Sequence, residues 1–156
     1  MTQRPLVSDQ EMKRSKTSRY DRAYIKVAEI FAGLSHDTRI KVGCCIVKDG
    51  QILSQGWNGM PSGMDNDTRD LNGYTNKEVI HAETNALTKL AKNGGNANGA
   101  TIYCTHSPCY NCSLLLLQSG ITRVCYAKVY DTKAITFLQE RGLQIECIDG
   151  ATRVSP

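Results

Sequence analysis

The chain has 156 residues, 40% hydrophobic and 22% charged, with a net charge of +4. This is the make-up of one globular domain: too short for two of ordinary size, too balanced for a disordered chain, and without the ~20-residue apolar run of a membrane span. Seven cysteines, an odd number, argue against a disulfide framework and for reduced thiols, some of them metal ligands. The opening Met-Thr-Gln-Arg-Pro has no apolar core of a secretory leader, so a cytoplasmic protein is expected. Two Phe and one Trp speak against a broad aromatic stacking surface. A mild positive balance suits small anionic ligands such as nucleotides.

In chain order, residues 1–18 read as a basic, partly flexible arm and 19–156 as a single domain. Over the first 22 residues Arg4, Lys13, Arg14, Lys16, Arg19 and Arg22 outnumber Asp9, Glu11 and Asp21. Such a run is first of all a solvated tail, and otherwise a nucleic-acid arm. Tyr20, Tyr24, Val27, Phe31 and Leu34 recur at helical spacing and predict a helix ended by Gly33 and Ser35. Val42 to Val47 and Ile52 to Ser54 read as strands joined through Asp49-Gly50, a strong hairpin signal. Gly56 to Asn76 is rich in Gly, Asn, Asp, Ser and Pro, a long loop of the kind that covers a ligand. A helix follows to about Lys92; Thr75 and Glu78 have capping-box spacing and would start it early. Then come a strand (101–105), a helix opened by Pro108 and closed by Gly120, a strand (122–126), a helix (133–141) and a strand (143–148). This alternation predicts an α/β fold of three layers, α/β/α, around a mixed five-stranded sheet.

His81-Ala82-Glu83 and Pro108-Cys109-Tyr110-Asn111-Cys112 carry the chemistry. Cys109 and Cys112, three apart at a helix start, can reach one ion, and the helix N-terminus favours their thiolates. With His81 they make three zinc ligands, and a three-ligand site is the mark of catalytic rather than structural zinc. Zinc lowers the pKa of bound water to roughly 7. Glu83, two residues from the His, is placed as a proton shuttle rather than a ligand. The pair of motifs matches the H-x-E and P-C-x-x-C signature of zinc nucleobase deaminases. A closed structural site, with Cys104, Cys125 or His106 as fourth ligand, is the alternative. Cys44, Cys45 and Cys147 fall in strand-like runs and read as core.

The sequence resembles the deoxycytidylate (dCMP) deaminases of the cytidine-deaminase-like superfamily, particularly the phage and bacterial forms, from about Tyr20 onward. Beyond the zinc motifs the resemblance includes Leu34-Ser35-His36-Asp37, the Gly56-Trp57-Asn58-Gly59-Met60-Pro61 loop, Asn85-Ala86 and Tyr130-Asp131. It departs at Trp57, where the family usually has Tyr. The resemblance implies zinc on His81, Cys109 and Cys112, attack at C4 of cytosine, and Glu83 passing protons to N3 and to the departing amine. It implies substrate contacts at Asn58, Ala82, Ser107 and Tyr130. It also implies a homo-oligomer, a hexamer, activated by dCTP and inhibited by dTTP, with Asn58, Gly59 and Lys92 near the effector and Mg2+ accompanying the triphosphate. Some phage members carry a second zinc in an insertion before the catalytic His; the loop here has no Cys or His, so one zinc per chain is expected. Two other readings stay open: a deaminase of bases in tRNA or single-stranded DNA, and a zinc-stabilised module without catalysis.

Overall fold

The computed structural model describes the backbone of residues 9–148 and the side chains from residue 19 on. Helix α1 spans Asp9–Ala32. It starts well before Tyr20, because no Gly or Pro interrupts the chain between Asp9 and Ala32. The second half of the expected arm is therefore helical, while residues 1–8 lie outside the described residues.

The buried stripe of α1 is Asp21, Ile25, Ala28 and Ala32, one step round from the stripe that periodicity marks; Tyr20 is 62% and Leu34 51% exposed. Two facts set that register. Asp21 is claimed from the sheet by Arg123, through two 2.8 Å bonds, and by the Tyr103 hydroxyl at 2.7 Å. Ala28 and Ala32 let the helix approach so closely that a Cβ at Gly43 would stand 2.1 Å from the Ala28 carbonyl oxygen.

Strands β1 (Gly43–Lys48) and β2 (Gln51–Trp57) form the expected hairpin. Asp49 and Gly50 both take positive φ, 52° and 75°, as a two-residue turn of this hand requires. After the loop come α2 (Ala82–Lys92), β3 (Thr101–His106), α3 (Tyr110–Gln118), β4 (Arg123–Lys128), α4 (Thr132–Glu140) and β5 (Gln144–Cys147). Sheet order is β2-β1-β3-β4-β5, antiparallel across β2-β1-β3 and parallel across β3-β4-β5.

The central strands are apolar on both faces, as covered strands must be. Cys44, Ile46, Ile102, Cys104, Val124 and Tyr126 pack against α2, α3 and α4. Cys45, Val47, Tyr103 and Cys125 face Ile25 of α1. The predicted three-layer α/β/α fold is the one observed. It leaves the C-terminal ends of β3 and β4 beside the N-termini of α2 and α3, where ligands bind in open α/β sheets.

Candidate active site

Both motifs sit at helix starts. His81 is the N-cap of α2, with extended backbone (φ −67°, ψ 155°) and no side-chain capping bond. The chain stays extended up to it because Ile80 and Gly59 exchange backbone bonds of 2.8 and 3.1 Å. The expected Thr75–Glu78 capping box does not form, because Thr75 is tied to Arg69 in a β-bridge across the loop. The imidazole of His81 is thus free to turn toward α3.

Cys109 is the N-cap of α3, and its sulfur accepts the Cys112 N–H at 3.4 Å. Pro108 stands just outside the helix rather than in its first turn. The two sulfurs meet through this capping geometry, not through one helix face. His81 Nδ1 lies 3.5 Å from the Cys109 sulfur and 3.4 Å from that of Cys112. Around a tetrahedral zinc, bonds of about 2.0 and 2.3 Å put nitrogen and sulfur about 3.5 Å apart, so the three side chains fit that ion.

The charges fit as well. Hydrogen bonds from Cys112 and His81, against the pull of burial, bring the Cys109 thiol down to about 4. Cys112 is pushed up, first by its hydrogen bond to Cys109 and then by burial. One thiolate forms readily and a second needs a cation to balance it. His81 is raised, chiefly by its bond to Cys109.

Among the described residues these three are the only group placed to hold a metal ion. Cys104 and Cys125 are buried in the two cores, so neither closes the site as a fourth ligand. His106 is turned instead to Thr105, with Nδ1 2.9 Å from its hydroxyl.

Glu83, in the first turn of α2, is 4% exposed. Burial raises its carboxyl above the ordinary range, partly offset by its own backbone N–H and by His81. It lines one pocket together with His81, Ala82, Cys109, Ser107, Asn58 and Tyr130. Every expected catalytic, metal and substrate residue is therefore brought to one place.

Some of them are already engaged. Asn58 Oδ1 accepts the Val42 N–H at 2.8 Å and Nδ2 donates to the Ile40 carbonyl at 2.9 Å, which fixes the 40–42 wall. The Ser107 hydroxyl accepts the N–H groups of Tyr130 and Asp131 at 2.7 and 3.2 Å, holding the turn that puts Tyr130 at the pocket mouth. Gly59 sits at the neck of the loop, and Lys92 ends α2, about 16 Å along the axis from His81 at 1.5 Å per residue. Neither lines the pocket.

Sequence reasoning missed Asp37, Arg69 and Val79 as lining residues and gave His106 little weight, yet all four line it. For Arg69 the loop's length was the only signal, and it names no residue; Asp37 stood in the Leu34–Asp37 run of the resemblance without a role attached.

Residues 18–128 match the family model for the cytidine and deoxycytidylate deaminase zinc-binding region, and the chain belongs to that family. It is 36% identical over 123 residues to the deoxycytidylate deaminase of Mycobacterium phage D29, covering 70% of this chain and 94% of that one. It is 29% identical over 160 residues to the deoxycytidylate deaminase of Saccharomyces cerevisiae, covering 92% of this chain but about half (50%) of the yeast protein. Among solved structures, the dCMP deaminase of cyanophage S-TIM5, in complex with dCMP and dUMP, is 44% identical with a TM-score of 0.80, over 83% of this chain and 96% of that one.

Proposed function

We propose that the protein hydrolyses the 4-amino group of dCMP, giving dUMP and ammonia, with one zinc ion per chain. The observation that carries the reading is His81, Cys109 and Cys112 converging beside a pocket that also contains buried Glu83. The choice of dCMP rests on the likeness to the cyanophage and mycobacteriophage enzymes.

Zinc, when bound, supplies a water acidic enough to act as nucleophile near neutral pH. Glu83, buried beside the residues that would hold the ion, would carry protons on its carboxylate to N3 and to the departing amine. Its burial raises the carboxyl above the ordinary carboxylate range, the direction that favours proton carriage near neutral pH. The N–H of Ala82, first in α2, has no intrahelical partner and is the donor for the ring carbonyl. Asn58 retains a second Nδ2 hydrogen and a second lone pair for the sugar. Tyr130 borders the nucleotide, and Ser107 acts by fixing the Tyr130 turn.

The reading extends to regulation, activation by dCTP and inhibition by dTTP with Mg2+ accompanying the triphosphate, in a homo-oligomer that by resemblance is a hexamer. Asn58, Gly59 and Lys92 are the candidate effector contacts. A cytoplasmic setting accords with seven free cysteines and with the lack, among the described residues, of a helix long and apolar enough to cross a membrane.

The test is ammonia release from dCMP, CMP, deoxycytidine, dCTP and a tRNA anticodon stem-loop, with and without dCTP or dTTP. Turnover of dCMP that disappears in Glu83→Gln with zinc retained supports the reading. Turnover of the RNA alone sinks the substrate assignment. Zinc-loaded protein with no turnover of any substrate sinks catalysis.

A further inference from the structure

The catalytic pocket contains one side chain with a permanent positive charge, Arg69, and deamination at the ring has no use for it. Arg69 comes from the long loop, and its side chain is 15% exposed. It is gripped from behind: Nη2 donates to Asp37 Oδ1 at 2.9 Å, and Nη1 makes only a long 3.4 Å contact with the Gly73 carbonyl. Asp37 is itself immobilised, because the same oxygen accepts the N–H groups of Arg39 and Ile40 at 2.8 and 2.9 Å. Nε–H is closed to water and has no partner.

An unmade bond at a buried donor is costly, so this guanidinium has hydrogen-bonding capacity that the folded chain leaves unfilled. A guanidinium held in orientation by a carboxylate presents its remaining N–H groups in a fixed fork, which matches phosphate oxygens and discriminates them from neutral hydroxyls. Asp37 offers little repulsion to an incoming anion, since its charge faces Arg69 and two backbone N–H groups.

We propose that Arg69, oriented by Asp37, is a specificity-determining residue that donates to the phosphate of the nucleotide substrate and so separates nucleotides from nucleosides. The proposal rests on the reading of the site as a nucleotide deaminase. Arg69, Glu83, His81 and Cys109 line the same pocket, so one nucleotide can meet Arg69 through its phosphate while its ring meets Glu83.

The experiment compares wild type, Arg69→Gln and Arg69→Lys as zinc-loaded proteins. It reads kcat/KM for dCMP and deoxycytidine, and calorimetric binding of dUMP and deoxyuridine. The expected result for Arg69→Gln is a loss of about tenfold or more in dUMP affinity with deoxyuridine unaffected, as the removal of a charge-assisted bond implies. Arg69→Lys keeps the charge without the fork and falls between. Equal weakening of dUMP and deoxyuridine overturns the proposal, since Arg69 then only holds the loop. Unchanged dUMP binding overturns it too. Melting curves identify a variant that fails to fold, in which case Arg69→Lys carries the comparison. A wild type that binds dUMP but deaminates nothing sinks the enzymatic reading and leaves Arg69 testable by binding alone.

Discussion

Gly56 is the position at which one methyl group tests how the fold aims its chemistry. It lies in β2, paired with Cys44, directly beneath the first turns of α2. A Cβ there would stand 2.3 Å from the Ala82 carbonyl oxygen, 2.7 Å from the Ala86 nitrogen and 3.1 Å from the Ala86 Cβ. The two shortest contacts are to backbone, which no rotamer change relieves. Restoring ordinary contact requires the start of α2 to retreat by about 1 Å. Ala82 stands between His81 and Glu83, so both move with it, whereas Cys109 and Cys112 stay with α3. The retreat also stretches the bonds that seat the helix, Cys44 to the Ala82 carbonyl at 3.1 Å and Ser54 to the Ala86 carbonyl at 2.7 Å. Overpacking of this kind costs about 1–3 kcal/mol, and a 1 Å displacement of catalytic groups costs on the order of 100-fold in rate. Gly56→Ala is therefore expected to lower the urea midpoint and to reduce kcat/KM far more than the stability loss explains, with weaker zinc retention. A variant with wild-type midpoint, turnover and zinc content would refute the claim that the α2–β2 approach positions the site.

Three further outcomes are expected. Burial alone would raise Asp37, but the bonds from Arg69, Ile40, Arg39 and Thr68 outweigh it and bring the carboxyl from 3.8 to about 2. The resulting stabilisation, about 2 kcal/mol by linkage, is full above pH ~4 and fades as pH falls through about 2; Asp37→Asn should flatten this part of the acid-stability curve, and an unaltered curve would contradict the network. Asp131 caps α4 through Oδ1, with the N–H groups of Lys133 and Ala134 at 3.0 and 3.2 Å, and takes the Tyr110 N–H of α3 on Oδ2 at 3.1 Å. Asp131→Ala should cost about 1–2 kcal/mol in denaturant unfolding, and a loss below ~0.3 kcal/mol would show that water replaces the cap. Elemental analysis should find about one zinc per chain, a marked loss in Cys109→Ser or Cys112→Ser and none in Cys125→Ser, whose thiol is buried against α1; equal loss in all three would point to a different ligand set.

The hairpin, the loop and the order of strands and helices are legible in the chain because each rests on local rules. Asp49-Gly50 names its own turn, and apolar strand runs flanked by helices call for a covered sheet. The candidate metal ligands and Glu83 are legible for a different reason: thiolate, imidazole and carboxylate are the types that hydrolysis at zinc calls for, and their short spacings survive folding. Where the signals were local but wrong, a distant partner had decided the matter. The Thr75–Glu78 spacing lost to a β-bridge with Arg69, and the stripe of α1 turned to suit Arg123, 102 residues from Asp21.

The sequence by itself determined the kind of chemistry: one His, two Cys and a Glu whose identities leave little else to do. Only the tertiary structure decided where that chemistry points. The two motifs become one site because Gly56 lets α2 settle on the sheet and because capping bends Cys109 back over Cys112. The rest of the wall, with Asp37, Arg69 and Asn58, comes from segments whose mutual pairing energy is long-range: Arg69 meets Asp37 across 32 residues, and Asn58 meets Ile40 and Val42 across 18 and 16. No window of sequence contains that energy, so no local pattern records it.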